Sequence, residues 1–359
     1  MEEVRLIKKS ELNKVLEFNA KEYGSRHILA NKTYYEWQFS NYLNNSDCYT
    51  SWGLFSKRNN QLLGVFGYFE ADYCFFGEKV RANCLCNLIV REDLRSLGFG
   101  YLLLERATSL NDLAIDYGIK KEIWTLFEKT GWRGENLERF FYVINPLKTR
   151  ELIGVADGIV ASPCLPAIEI SGWSFEWIKT AEDSVDDFWS AAKHNYPITI
   201  ERNSRYLNWR YLHHPLLDYG VFAAKDGGVI KSLVVARMEK PGPYKLVHIV
   251  DLVASDNFSA RYALIKLIEY CVKNETDWLD FFFSGQFHLP ELIELGFFDG
   301  SREPYSNMPI LFNPIDRTKR TKINFAAKLI NGELSRLGNW KDLNKWYTTK
   351  GGGDQDRPN

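Results

Sequence analysis

The chain reads as a mixed α/β protein made of two copies of one unit, and three observations predict this. Over residues 3–144 the apolar patterns follow the order β-α-α-β-β-β-α-β-turn-β. The second half repeats landmarks of the first: Tyr34 and Trp37 return as Tyr206 and Trp209, Gly53 and Phe55 as Gly220 and Phe222, and Gly131-Trp132 as Gly296-Phe297. Residues 87–90 likewise return as 251–254, so the offsets stay between 164 and 172 positions, as a duplication with small loop changes requires. At 359 residues, the chain also has room for two ordinary domains. The expected division is a first domain over 1–147, a linker over 148–171 carrying Pro163 and Pro166, a second domain over 172–315, and a helical extension and tail over 316–359.

The elements follow in order. A strand covers 3–8, and Ser10 is placed to cap a helix running to Tyr23. Residues 32–42 read as a second helix. Strands at 52–56 and 62–68 flank a turn at Asn59-Asn60, and further strands follow at 73–76 and 82–90. A helix over 98–117 aligns Leu103, Ala107, Leu110 and Ala114 on one face. Strands at 123–127 and 140–144 lie on either side of Gly131-Trp132. Past Pro314, residues 316–322 are basic and polar, 324–337 read as helix, and the end from Gly351 has the composition of a disordered tail.

Composition narrows the function classes. A net charge of −1 argues against a general nucleic-acid binder. No run approaches the ~18 apolar residues of a membrane span, and the first residues lack the apolar core of a signal peptide. The six cysteines form no C-x-x-C pair. Cys84 and Cys86 share one face of a strand and read as core. The histidines have no ligand-like spacing. The expectation is a cytoplasmic monomer or homodimer without a metal site or membrane insertion.

The stretch with chemistry runs from residue 87 to 105. Its strand (Leu88, Ile89, Val90) leads through a charged turn into an R-x-x-G-x-G pattern set by Arg95, Gly98 and Gly100, and then into a helix. Glycines at such a junction let a ligand approach the backbone, and the free N–H groups of a helix start favour an anion. A pyrophosphate fits. The corresponding stretch of the second copy, 259–264, has no glycine.

This strand-turn-helix resembles motif A of the GNAT superfamily of acyl-CoA-dependent N-acyltransferases, whose V-x-P-x-x-R-x-x-G-x-G run is matched from Val90 to Gly100, with Glu92 in place of the usual proline. Residues 127–132, Phe-Glu-Lys-Thr-Gly-Trp, resemble the family's Y-x-K-x-G-F segment. The resemblance implies two tandem GNAT-like domains, each a twisted mixed sheet flanked by helices. Only the first would hold acyl-CoA (acetyl-CoA or a larger one such as hydroxybutyryl-CoA) as co-substrate. Leu88, Ile89 and Val90 would pair with pantetheine through a β-bulge, with the Ile89 N–H as oxyanion donor. Arg95, Ser96, Leu97, Gly98, Phe99, Gly100 and Tyr101 would cradle the pyrophosphate. The family's usual base position is Asn87 and its usual thiolate-protonating tyrosine is Phe127, so both expected side chains are missing. Either Asp251 and His248 of the second copy supply them, or a partly neutral amine needs little help.

The tandem organisation, the cluster Tyr206, Trp209, Arg210, Tyr211, His214 and Pro215, and the tail from Asp354 to Pro358 resemble bacterial sugar-nucleotide N-acyltransferases. That resemblance implies transfer to the amine of a dTDP- or UDP-linked amino sugar in surface polysaccharide (O-antigen or capsule) assembly. Arg202, Arg205, Arg210 and His213 are the candidate contacts for such a nucleotide sugar. The competing readings are an aminoacyl-tRNA-dependent peptidoglycan ligase-like enzyme, which the intact glycine pattern disfavours, and a non-catalytic acyl-CoA-binding protein.

Overall fold

The structure is a computed structural model that describes residues 2–309 and 322–356; most of the basic run, 316–321, therefore lies outside the described residues. The first half runs β1 (Glu2–Lys8), α1 (Leu12–Tyr23), α2 (Lys32–Phe39), β2 (Cys48–Ser56), β3 (Leu62–Phe75), β4 (Glu78–Val90), α3 (Phe99–Thr108), β5 (Leu113–Tyr117), α4 (Lys121–Lys129), β6 (Arg133–Asn136) and β7 (Glu138–Val143). After α5 (Pro146–Ile153) come β8 (Trp173–Ile178), α6 (Asp183–Ala192), β9 (Ile198–Ile200), α7 (Ser204–Leu207), β10 (Gly220–Asp226), β11 (Val229–Glu239) and β12 (Leu246–Ala254). Then follow α8 (Asn257–Lys273), β13 (Trp278–Phe283), α9 (Leu289–Glu294), β14 (Phe298–Asp299), β15 (Asn324–Leu329) and β16 (Trp346–Tyr347).

The duplication extends to capping chemistry. Asn31 caps α2 by accepting from Tyr34 N at 3.0 Å, and Asn203 caps α7 by accepting from Tyr206 N at 2.9 Å. Each side chain satisfies one of the N–H groups that a helix start leaves open. Helices α4 and α9 end alike, on Gly131 and Gly296 with φ of 91° and 85°. The following residues close both turns: Trp132 N donates to Phe127 O and Phe297 N to Leu292 O. A left-handed residue after the last helical turn is where glycine is favoured.

Two compact units result. One comprises Met1–Gly134 and Asn324–Lys341, the other Glu135–Ile323 and Asp342–Pro358. The first sheet has the order β1-β2-β3-β4-β5-β15-β6, and the second β8-β10-β11-β12-β13-β7-β14. In the first unit α1 and α2 cover one sheet face around Val15, Tyr35 and Phe55, and α3 and α4 cover the other around Leu85, Leu103 and Phe127. Among the described residues no helix is long and apolar enough to cross a membrane.

The units differ from the sequential division expected. Strand β7, read as the end of the first copy, pairs with β13 and β14 in the second sheet. Residues 324–329, read as helix, form β15 and pair antiparallel with β5 in the first sheet. The two copies have exchanged their last strands. The helix expected over 98–117 stops at Thr108, and Leu113–Tyr117 is the fully buried strand β5. The stretch 123–127, read as strand for its β-branched and aromatic residues, lies in α4, where Phe127 alone is buried. Residues 73–76 are not a separate strand: β3 runs unbroken to Phe75 and turns through Phe76 and Gly77, both at positive φ, into β4. Ser10 caps nothing, because a short 3-10 turn at residues 9–11 precedes α1. The expected linker opens with α5. The glycine-rich end from Gly351 is buried through Asp354 rather than loose.

Candidate functional site

In the first unit, β3 and β4 pair in register from the Phe75↔Glu78 turn to Gly67↔Cys86, and again at Val65↔Ile89. Asn87 and Leu88 therefore oppose Phe66 alone, which makes a β-bulge. Asn87 carries the extra residue's strain with φ of +64°, a region that asparagine tolerates better than most side chains. On its other edge β4 pairs in parallel with β5 only from Ala82↔Leu113 to Leu85↔Asp116. Beyond Leu85 the two strands part. Burial follows the same line: residues 82–86 are buried, and Asn87, Leu88 and Ile89 are half-buried. A sheet opened next to a bulge offers main-chain groups to an extended ligand.

The turn after β4 aims a helix start at this edge. Arg95 folds back, its Nε donating to Val90 O at 3.0 Å, while an outer nitrogen lies 3.9 Å from the Glu22 carboxylate. Gly98 sits at φ +80°, a conformation that requires glycine, and is the N-cap of α3 without any side-chain cap. The N–H groups of the first turn have no partner within a helix by construction. Gly100 differs. Its backbone is helical, and a Cβ there would meet only Leu88, at an ordinary 3.9 Å. Among the described residues nothing calls for glycine at 100.

The second unit contrasts at its helix start. Its α8 begins with a capping box, in which the Asp256 carboxylate accepts from Ser259 N at 2.7 Å. That carboxylate supplies the negative charge that an anionic ligand would bring.

The candidate catalytic and substrate residues of this unit are mostly consumed by its own structure. His248 is 1% exposed; its Nδ1 lies 2.5 Å from Asp280 and its Nε2 3.0 Å from Glu239. Asp251 is 2% exposed and accepts from Arg202 Nε at 2.8 Å. Neither offers a free face to a substrate. Arg202 is bound as well by Thr199 Oγ1 and Ile200 O, and Arg210 donates to the Gly351 and Gly353 carbonyls. Arg202 and Arg210 are thus buried structural cations, and of the expected substrate set only Arg205 and His213 are exposed. The sequence could not distinguish them, since all four stand within twelve residues on polar-aromatic turns. His214, beside them, is held neutral: burial and then Arg210 push its imidazole down to about 3, and its Nδ1 accepts from Leu216 N and Leu217 N.

One feature of the second unit escaped the sequence reading. Burial, then Glu138 and Asp342, pushes the Glu135 carboxyl up to about 6, and burial with Asp299 raises Glu138. Glu138 and Asp299 line a cavity of about 710 Å³ with Phe140, Phe282, Phe298 and Tyr305. A carboxyl raised to about 6, as at Glu135, can take a proton near neutrality. The only sequence signal of these carboxylates was the pair Glu135 and Glu138 next to the turn Gly131-Trp132.

Among the described residues no group of three His, Cys, Asp or Glu side chains could hold a metal ion. No family model matches the sequence, and no curated protein matches it. Solved structures do. A GCN5-related N-acetyltransferase from Anabaena variabilis superposes with a TM-score of 0.63 at 9% identity, over 92% of this chain and 73% of that one. The fold is that of the GCN5-related N-acetyltransferases. A probable N-acyltransferase from Enterococcus faecalis gives a TM-score of 0.59 at 12% identity, over 93% of this chain and 74% of that one. Saccharomyces cerevisiae N-myristoyltransferase with bound myristoyl-CoA gives 0.54 at 12% identity, over 91% and 82%. The first unit holds an opened sheet and the glycine turn, and the second repeats the opened sheet with a different helix start.

Proposed function

We propose that the chain is an acyl-CoA-dependent N-acyltransferase whose donor site lies in the first unit. The observation that carries this reading is Gly100: a helical glycine with open space around it, beside an uncapped helix start and the parted edge of β4. The main chain of Leu88, Ile89 and Val90 pairs with pantetheine in the opening. The N–H groups of Ser96, Leu97, Gly98, Phe99, Gly100 and Tyr101 receive the pyrophosphate, with Arg95 adding charge. The amine nitrogen attacks the thioester carbonyl, and the Ile89 N–H stabilises the oxyanion that forms. The C–S bond then breaks and the thiolate leaves. Asn87 accepts no proton, and Phe127 donates none. Water takes the amine proton, because an amine with a pKa near 8 is already partly neutral at pH 7. Positioning then accounts for most of the rate.

The proposed acceptor is the amine of a nucleotide-linked amino sugar. Within the expected contact set this now rests on Arg205 and His213, the two members that are exposed, since Arg202 and Arg210 are buried. The absence of a proton-exchanging side chain at the two usual acid–base positions, Asn87 and Phe127, favours one further reading, an acyl-CoA-binding protein without turnover. Calorimetry with acetyl-CoA and longer acyl-CoAs, followed by thiol-release assays against dTDP- and UDP-amino sugars and simple amines, separates these. Binding with release supports the enzyme, binding without release to any amine supports the binder, and no acyl-CoA binding sinks both.

A further inference from the structure

The second sheet opens just as the first does. Strand β12 pairs in parallel with β13 only from Leu246↔Trp278 to Ile249↔Phe281. Against β11, the register passes from Ala236↔Ile249 to Val235↔Asp251, so Val250 is an extra residue in a second bulge. Past that point the facing edges of β12 and β13 need partners, since buried main-chain groups without them are costly.

We propose that this parting is a binding site for an extended peptide, and that residues 346–356 of the chain are its resident, separable ligand. On the β13 side, Ser284 N donates to Thr348 O at 2.8 Å and Ser284 Oγ to Trp346 O at 2.8 Å. Thr348 N donates back to Ser284 Oγ, and Thr349 forms an antiparallel bridge with Phe283. On the β12 side, the Tyr347 hydroxyl donates to Leu252 O, and Thr349 Oγ1 donates to Asp251 at 3.2 Å. The segment is thus bonded through its main chain on the β13 side, as an added strand is, and through its side chains on the β12 side.

The rest of the segment is recognised by shape and charge. At Gly351 a Cβ would lie 2.2 Å from the Tyr211 hydroxyl and 3.0 Å from Val250 O, so the slot admits bare backbone only. The Gly351 carbonyl accepts from Tyr206 Oη at 3.2 Å and from Arg210 Nε at 3.1 Å, and Gly353 O accepts from the same guanidinium. Asp356 is then clamped by both arms of Arg237 at 2.9 Å and by the Tyr219 hydroxyl at 2.9 Å, and within the segment it pairs with Lys350 at 3.0 Å. A fork–carboxylate pair out of water fixes both position and identity of the acid. Every residue from Trp346 to Asp356 is buried except the half-buried Gln355, whereas Lys341, Asn344 and Lys345 just before it are exposed. The chemistry selects an extended peptide with a glycine run followed by an acid. While it is in place, this opening is closed to pantetheine.

The test uses the full chain with a specific protease sequence inserted between Asn344 and Lys345. After cutting under native conditions, the downstream peptide is expected to co-elute with the protein in size exclusion, and a labelled synthetic copy of residues 345–356 to exchange into the cut protein. In the cut Asp356→Asn chain, release is expected at least tenfold faster, and the uncut Asp356→Asn chain should melt at a lower temperature. The proposal is overturned if the peptide leaves on cutting with no change in melting temperature. It is equally overturned if the cut chain unfolds outright, which makes the segment inseparable core, or if Asp356→Asn leaves release unchanged.

Discussion

Three single residues show how local environment sets what a position can do. At Gly100 the helical backbone and open surroundings mean that alanine improves the helix while placing a methyl group where a diphosphate would lie. Gly100→Ala is expected to raise fold stability by up to about 1 kcal/mol and to weaken acyl-CoA binding tenfold or more; chemical denaturation and calorimetry on the same preparation check both signs. His214 and His288 illustrate the opposite constraint. Burial together with nearby arginines, Arg210 for one and Arg202 for the other, pushes both imidazoles down to about 3. The unfolded chain takes these protons near pH 6.5, and the folded chain refuses them until about pH 3. Stability is therefore full above pH 6.5 and falls as pH drops through that window, by at most about 1.4 kcal/mol per pH unit for each group. Melting curves between pH 7.5 and 5 should show the decline, and His214→Gln should make the slope shallower.

At the scale of elements, the bulge in β4 lies where the strand parts from β5. Asn87 at φ +64° is its pivot. Asn87→Val is expected to cost about 1–2 kcal/mol for the left-handed backbone. Asn87→Gly should stay within about 0.5 kcal/mol of the parent, because glycine accepts that region freely. Urea titration of both variants decides; equal losses would mean that the asparagine side chain, rather than the backbone, holds the bulge. The strand-turn-helix around this pivot was legible in the sequence, since glycine spacing and a bounded apolar run are local signals. The neighbouring elements were not. Leu113 to Tyr117 continues the helical spacing of Leu103 and Ala107 by coincidence, and only the parallel pairing with β4 makes it a strand. Residues 123–127 carry strand-like side chains, yet their flanking lysines and Gly131 fit a short amphipathic helix with one buried anchor, Phe127. The burial of Arg202, Arg210, Asp251 and His248 was equally hidden, because each has a partner far along the chain, from 32 residues away for His248 and Asp280 to 143 for Arg210 and Gly353.

At the scale of the whole molecule, the exchange of β7 and β15 decides which pieces of chain are complete. A fragment of residues 1–147 carries β7 without its sheet and leaves β5 without β15 along one edge. Such a fragment is expected to aggregate and to show no cooperative melt, since an unpaired buried edge invites association. Joining 1–134 to 322–341 through a short flexible linker restores the missing strand, and this piece should melt cooperatively. Circular dichroism against temperature distinguishes the two; a folded 1–147 would contradict the exchange.

The same exchange bears on ancestry. Two identical chains that each lend a last strand to the other form a swapped homodimer, a low-cost route to association. Joining such a pair end to end yields this connectivity directly, with the first copy's last strand in the second sheet and the second copy's in the first. A gene that doubled in that state needed no new pairing to fold. Each half was then free to change as long as its lent strand still fitted its host. Here the first copy carries glycines at its helix start, and the second holds residues 346–356 against its opened sheet.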